Sequence, residues 1–239
     1  MDIRFIISKQ DPVGKTIKDL GYKFEEVDED VTDFKYDSGD AIIVFSRHES
    51  KSKIPSYTVH YPGNPTSQTL GGEPYKLGMA YPRLLTSIYR ELLKIPENAL
   101  NKSLEATHHG PTYQRTPIIF VEIGSSIEYW SNQKLVKALV EATLRGVEKF
   151  REIECNEIVS GFGGPHYAPL FSKLAGKSSC VSHILSKYVL SETNENVIAQ
   201  AITNSIERIN KVIFDNVNKE LKLKLLSTIR NFDVAIESV

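Results

Sequence analysis

The sequence predicts an α/β fold: a mixed, mostly parallel sheet with helices on both faces. Three observations carry this. The runs Ala41 to Ser46 (AIIVFS) and Pro117 to Ile123 (PIIFVEI) are almost continuously apolar, as strands buried on both faces are. Amphipathic helical segments alternate with such runs along the chain. The 239 residues, 41% hydrophobic and 25% charged, hold enough apolar material for a sizeable core, and no repeat or low-complexity linker divides them, so 1–239 reads as one domain.

The elements follow in order. Ile3 to Ser8 is a short strand. Asp11-Pro12 opens a helix, Val13 to Leu20, which Gly21 stops. Val27 to Asp37 is acidic and polar and reads as a surface loop. After AIIVFS come Arg47, His48 and Glu49, and then Tyr57 to Tyr61 (YTVHY) forms another strand. Strand alternation puts Thr58 and His60 on one of its faces. Pro62 to Lys76 is a long loop rich in Gly, Pro, Asn, Ser and Thr, of the kind that carries function more often than not. Pro82 to Lys94 is a helix with Leu84, Leu85, Ile88, Leu92 and Leu93 on one side.

Strands are then expected near Ser103 to Thr107 and Ile118 to Ile123, and a long helix over Asn132 to Phe150. Glu157 to Gly161 is a strand leading into a Gly-rich turn, GFGGPHYAP (Gly161 to Pro169). A short helix over Leu170 to Leu174 and a strand over Cys180 to Leu185 follow. Helices over Glu195 to Arg208 and Asn218 to Ile229 close the pattern.

A formal net charge of -1 does not announce a nucleic-acid partner, although a local basic patch is sufficient for one. The two cysteines, Cys155 and Cys180, are expected as buried, reduced thiols. No run approaches the ~20 apolar residues of a membrane span. The first residues, MDIRFIIS, begin a strand rather than a signal peptide, so a cytoplasmic location is expected.

Five of the six histidines fall at or near strand ends: His48, His60, His108, His109 and His166. In open α/β sheets ligands bind beyond the carboxyl ends of strands, so these side chains converge if the strand order allows. The sixth, His183, lies inside VSHIL and reads as a hydrogen-bonded core histidine. Glu105, His108, His109, Glu122 and His166 could supply the imidazoles and carboxylates of a zinc site, although no H-E-x-x-H spacing is present. Adjacent histidines reach one site only if the backbone turns at His109, and Gly110-Pro111 makes such a turn natural. Glu122 interrupts an apolar strand. It is either a ligand or general base, or a surface carboxylate paired with Arg115 or capping the next turn.

The amides of the GFGGPHYAP turn could hold an anion, or its glycines could simply serve a tight turn. Thr66, Ser67 and Thr112 are possible hydroxyl partners, but no G-x-S-x-G elbow is present. Of three local basic groups, Arg47 with Lys51 and Lys53 lies nearest the expected crevice and is the best phosphate candidate; Arg145, Lys149 and Arg151, and Lys219, Lys222 and Lys224, are the others. Tyr57, Tyr61, Tyr75, Tyr113 and Tyr167 could stack on a terminal base.

Four segments together resemble a known family: SRHESKSKIPSYTVHYPGN (Ser46 to Asn64), LEATHHGPT (Leu104 to Thr112), PIIFVEIGS (Pro117 to Ser125) and GFGGPHYAP. In this order they are similar to the archaeal and plant type of D-aminoacyl-tRNA deacylase, formerly called D-tyrosyl-tRNA deacylase. The likeness runs from the first strand to about residue 210. The resemblance implies a fold like that of peptidyl-tRNA hydrolase and purine nucleoside phosphorylase, a zinc cofactor, and hydrolysis of the ester between a D-amino acid and tRNA.

On that basis His48, His60, His108 and Glu105 are expected to hold metal, and Glu122, His109 and His166 to act in catalysis. Arg47, Thr112, Gly163, Gly164 and Tyr167 are expected to contact substrate. Amides of Gly161 to Gly164 would stabilise the oxyanion or hold the terminal phosphate. D-aminoacyl-tRNA is the expected partner, as monomer or homodimer. Two rival readings remain open at this point, a zinc-dependent hydrolase or phosphorylase of small molecules and a non-catalytic RNA-binding module.

Overall fold

A computed structural model describes residues 1–50, 53–96 and 100–239. In chain order the elements begin β1 (Ile3–Ser8), α1 (Pro12–Asp19), β2 (Glu25–Val27), β3 (Ala41–His48), β4 (Ser56–His60), β5 (Gly63–Asn64) and β6 (Lys76–Leu77). They continue with α2 (Pro82–Leu93), β7 (Asn101–Leu104), β8 (Ile118–Gly124), α3 (Ile127–Trp130), α4 (Gln133–Lys149) and β9 (Glu157–Gly163). The last are α5 (Pro169–Ala175), β10 (Ser179–Leu185), α6 (Glu195–Thr203), β11 (Lys211–Asp215), α7 (Lys219–Ile229) and β12 (Ala235–Ser238).

The mixed, mostly parallel sheet is present, with strand order β2-β1-β3-β8-β4-β7. Within this sheet the β4–β8 pairing is the one antiparallel pairing among the described residues, and β5 and β6 form a separate antiparallel pair. A second sheet, β10-β9-β11-β12, is parallel throughout. Its strands β11 and β12 escape the sequence reading, because KVIFD and AIES are short and border helical patterns.

The helices are where their caps put them. Asp11 Oδ1 accepts from Val13 N at 2.8 Å and starts α1, with Pro12 at the first helical position. Asn132 caps α4 through Lys134 N and Leu135 N. The apolar stripe Leu84, Leu85, Ile88 and Leu92 of α2 packs with Val136, Leu139 and Val140 of α4 in the main core. Gly146 sets their closest approach: a Cβ there would lie 2.5 Å from Ile88 Cα.

Four expectations need correction. The 27–37 segment is not merely surface loop: Glu25–Val27 is an edge strand, and Val31 and Phe34 are buried over the sheet with Ile6, Ile42, Val44, Ile118 and Phe120. Helix α6 ends at Thr203 rather than Arg208, because Asn204 leaves helical geometry and its carbonyl accepts from Ala80 N at 2.9 Å. Cys155 and Cys180 form a disulfide rather than free thiols; Cys155 lies before β9, not in a strand, and Cys180 is the second residue of β10. Finally, Gly161 to Gly163 are part of β9, between β10 and β11, not of a turn.

One connection places the site. After β7 the chain continues as Glu105 to His109 between the two sheets. Glu105 N donates to Val59 O of β4, Ala106 N to His166 O beyond β9, and Thr107 N to Ile184 O of β10. Gly63 N then donates to His109 O at 2.6 Å. This five-residue strap holds the polar residues of the LEATHHGPT segment at the seam between the sheets.

Candidate metal and catalytic site

The site occupies one half of one sheet face. Along β8, Ile119, Val121 and Ile123 point into the main core. Ile118 and Phe120 point to the opposite face, where the Val31–Phe34 loop covers them, and Glu122 continues that face two residues on. Ser46 of β3 and Thr58 of β4 flank Glu122 in register, with His48 and His60 one alternation away on the same face. The apolar half thus shields the polar half from solvent on one side. His60 rests on Phe120, with ring centroids 5.1 Å apart and planes 5° from parallel.

His108 and His109 arrive on the strap. His109 has φ 44°, the left-handed backbone that turns both imidazoles to one side, so the turn anticipated there exists. His166 follows β9, as expected, and Tyr167 lies beside it. The strand ends therefore bring together His48, His60, Glu105, His108, His109, Glu122 and His166. Within this cluster, ligand atoms of three overlapping groups lie within 4.8 Å of one another: His60, His108, His109; Glu105, His108, His166; and His48, Glu105, Glu122.

Glu122 is 4% exposed. Its Oε1 accepts from Ser46 Oγ at 2.8 Å, with His60 Nε2 at 3.6 Å and His109 Nε2 at 4.0 Å. Its Oε2 lies 3.3 Å from His48 Nδ1. Burial alone would raise its pKa, but the contacts with His48 and His60 and the charge of nearby imidazoles outweigh burial and hold it well below the usual carboxylate range. Among the described residues neither Arg115 nor a turn amide is one of its partners.

His48 is shared between two carboxylates, its Nδ1 3.3 Å from both Glu105 Oε1 and Glu122 Oε2, while Nε2 meets Tyr167 Oη at 2.9 Å. Burial opposes its protonation, yet Glu122 and Glu105 prevail and raise it to about 10. His109 goes the other way: burial and the neighbouring His60 push it down to about 4. Burial, with His60, His109 and His166 around it, likewise holds His108 well below its ordinary value.

Three of the rings are fixed by the main chain. His60 Nδ1 faces Tyr61 O at 3.1 Å, His108 Nδ1 faces Ala106 O at 2.8 Å, and His109 Nδ1 faces Gly110 O at 2.5 Å. A carbonyl accepts only, so each Nδ1 carries a proton and Nε2 is the nitrogen left facing the site; His108 and His109, held below their ordinary values, offer it as a lone pair, whereas Glu122 overcomes burial and raises His60. Such anchoring is how proteins orient metal-ligating imidazoles. His60 Nε2 and both Glu105 carboxylate oxygens are buried without a hydrogen-bond partner among the described residues. Buried polar atoms left in this way are costly unless something occupies the space between them. A divalent cation fits the nitrogen and oxygen donors on offer.

The remaining expected site residues are placed differently. Arg47 points to Asp11, with Nη1 to Oδ2 at 3.0 Å, and also meets Asp30 and Glu49, so its charge is already balanced by carboxylates. Lys51 lies outside the described residues. Thr112 is buried and its Oγ1 accepts from Glu73 N at 2.8 Å, which makes it a brace for the 71–73 turn. Gly164 N donates to Asp215 O at 2.9 Å, and Gly163 is in register with Asp215 in the sheet, so these amides are not an anion cradle. Tyr57 and Tyr61 are core residues bonded to Leu135 O and Val181 O. Tyr167 remains at the site. His183 is a buried core histidine, with Thr107 Oγ1 at 2.9 Å and Gly78 O at 3.0 Å. Ser46 and Thr58 went unnoticed as site residues, although the same alternation that picks out Glu122 would have found them.

A family profile described as D-aminoacyl-tRNA deacylase matches residues 35–237. The chain belongs to the D-aminoacyl-tRNA deacylase family. It is 62% identical over 232 residues to a D-aminoacyl-tRNA deacylase of Sulfurisphaera tokodaii, spanning 97% of each chain. Its identity is 55% to one of Saccharolobus islandicus, over 99% of both chains, and 56% to one of Saccharolobus solfataricus, over 98% of this chain and 97% of that one. A crystal structure titled as a conserved protein of unknown function superimposes with a TM-score of 0.88 at 24% identity, covering 99% of this chain and 95% of the other, and so shares the fold. Among the described residues no helix is long and apolar enough to cross a membrane.

Proposed function

We propose that this chain hydrolyses the ester joining a D-amino acid to the terminal ribose of tRNA, as one domain over residues 1–239, in the cytoplasm. The observation that carries the reading is the convergence of five histidines and two glutamates at the seam of the sheets in a chain of this family. Family membership favours it over a small-molecule hydrolase or a non-catalytic RNA-binding module.

Zinc suits the donor set. The carbonyl-anchored rings of His60, His108 and His109 are the best-oriented ligands, which exchanges His109 for His48 in the expected ligand set. Bound there, zinc would supply Lewis acidity and lower the pKa of water toward ~7. Glu122, charged and aimed at the same space, receives the attacking water's proton on Oε1. Ser46 holds that oxygen in place. His48, an imidazolium between Glu105 and Glu122, balances their charge, and Tyr167 fixes its ring. His166 is the most exposed of the cluster, with Nε2 3.4 Å from Glu105 Oε1, and is suited to protonate the departing ribose oxygen at the rim.

The test is release of D-tyrosine from D-tyrosyl-tRNA beside L-tyrosyl-tRNA, before and after chelation and with zinc restored. D-selective release that is lost on chelation and regained with zinc is expected. Release that persists after chelation would remove the metal from the reaction, and no release from either ester would overturn the function.

A further inference from the structure

The cluster does not stop at His60. On β4, Ser56, Thr58 and His60 alternate onto one face, and Ser56 Oγ, Thr58 Oγ1 and His60 Nε2 are all buried without a hydrogen-bond partner among the described residues. The neighbouring strand continues the polar strip, with Asn101 opposite Ser56 and Ser103 opposite Thr58. Three unpartnered polar atoms in a row along one strand are unusual in a folded interior and mark a path that something else completes.

The far end of this strip opens into a cavity of about 500 Å³. Ser56, Asn101 and Ser103 form its polar side, and Ile54, Pro165, Tyr167 and Pro169 its apolar side. Tyr167 is the shared wall, because its hydroxyl also meets His48 Nε2 at 2.9 Å. The cavity therefore begins one ring away from the reacting centre. Its size and its mix of flat apolar surface with a few convergent polar groups are those of a small-ligand site.

We propose that this cavity holds the terminal adenosine of the tRNA, leaving the aminoacyl ester over the His/Glu cluster. The inference rests on the deacylase reading. A nucleoside has apolar faces for Tyr167 and the prolines, and a polar edge and ribose hydroxyls for Ser56, Asn101 and Ser103. An amino-acid side chain would cover the apolar wall but leave the hydroxyls of the strip unpaired, and the deacylase has to accept the same nucleoside whatever amino acid it carries.

The test uses free adenosine as the probe, with binding to the purified full chain read by calorimetry. Asn101 is exposed on edge strand β7, so Asn101→Trp fills the cavity from its rim, and thermal melts check its fold. Binding of adenosine to the unsubstituted protein is expected, weakened at least tenfold or so by Asn101→Trp and roughly three- to tenfold by Ser56→Ala, the scale of one lost hydrogen bond. The ratio of kcat/KM for D-tyrosyl-tRNA to that for D-tyrosine methyl ester, which lacks the nucleoside, should fall with Asn101→Trp by a similar factor. Absence of adenosine binding would overturn the proposal. So would equal losses on both esters, or weakened binding of D-tyrosine in Asn101→Trp with adenosine binding intact, since the cavity would then serve the amino acid. Adenosine binding that weakens in both variants of a chain inactive on every ester would support the pocket and sink the deacylase reading separately.

Discussion

Replacing Glu122 with Gln isolates the charge at the centre of the site. The side chain keeps its shape, and the Ser46 hydroxyl at 2.8 Å from Oε1 can still hydrogen-bond to an amide oxygen. What disappears is a proton acceptor and the anion facing three imidazoles at 3.3, 3.6 and 4.0 Å. A positioned general base is worth about 10²- to 10⁴-fold in rate, so kcat on D-tyrosyl-tRNA should fall by that factor. Stability should fall far less. His48 retains Glu105 Oε1 at 3.3 Å, so its charge is not stranded, and a loss of about 1–3 kcal/mol, the scale of one imperfectly satisfied buried polar group, is expected. The assay is single-turnover release of D-tyrosine from pre-charged tRNA, run beside a denaturant melt of the same sample. A variant that remains folded and hydrolyses within about threefold of the parent would refute the role given to Glu122, because the effect would then lie below the smallest expected of a general base.

Three further outcomes follow from the same geometry. Tyr167→Phe deletes the 2.9 Å contact with His48 Nε2 and should lower kcat/KM for D-tyrosyl-tRNA about tenfold, the worth of roughly 1.4 kcal/mol; steady-state kinetics would show it. Burial holds His183 at about 4, below the 6.5 of an unfolded histidine, so the unfolded chain binds the extra proton first as pH falls. The stability this group contributes is complete above pH 6.5 and is lost toward pH 4. It should amount to about 3 kcal/mol, and chemical denaturation from pH 7 to 4 should be flatter in His183→Gln. Gly146→Ala drives a methyl group to 2.5 Å from Ile88 Cα and should destabilise the α2–α4 packing by about 1–3 kcal/mol, as read from the unfolding midpoint.

Much of this architecture is legible in the sequence, for identifiable reasons. The runs around Val44 and Phe120 are apolar on both faces, short and rich in β-branched residues, which marks them as inner strands. Asp11-Pro12 and Asn132 announce their helices through capping chemistry. The convergence of five histidines at strand ends follows from the rule that α/β sites lie there, and the structure brings all five together. Other features depend on contacts that no local pattern records. Asn204 ends α6 through a bond to Ala80, more than a hundred residues earlier. Arg47 reads as a free cation until the fold sets Asp11, Asp30 and Glu49 around it. The glycines of GFGGP look like an anion loop because a strand flanked on both sides and an exposed turn can share one composition. The disulfide escaped because Cys155 and Cys180, 25 residues apart, meet only when β9 and β10 align.

The anchoring of His60, His108 and His109 on backbone carbonyls has a consequence for how this site can vary. Where a carboxylate side chain fixes a ring's tautomer, a single substitution can release it. Here the information sits in the main chain, at Tyr61 O, Ala106 O and Gly110 O, which every residue type possesses. Side chains around the rings can therefore drift through evolution without changing which nitrogen faces inward. The vulnerability is displaced onto the path of the polypeptide itself: an insertion or a register slip in the strap between β7 and Gly110 would unset His108 and His109 together, however faithfully the histidines were kept.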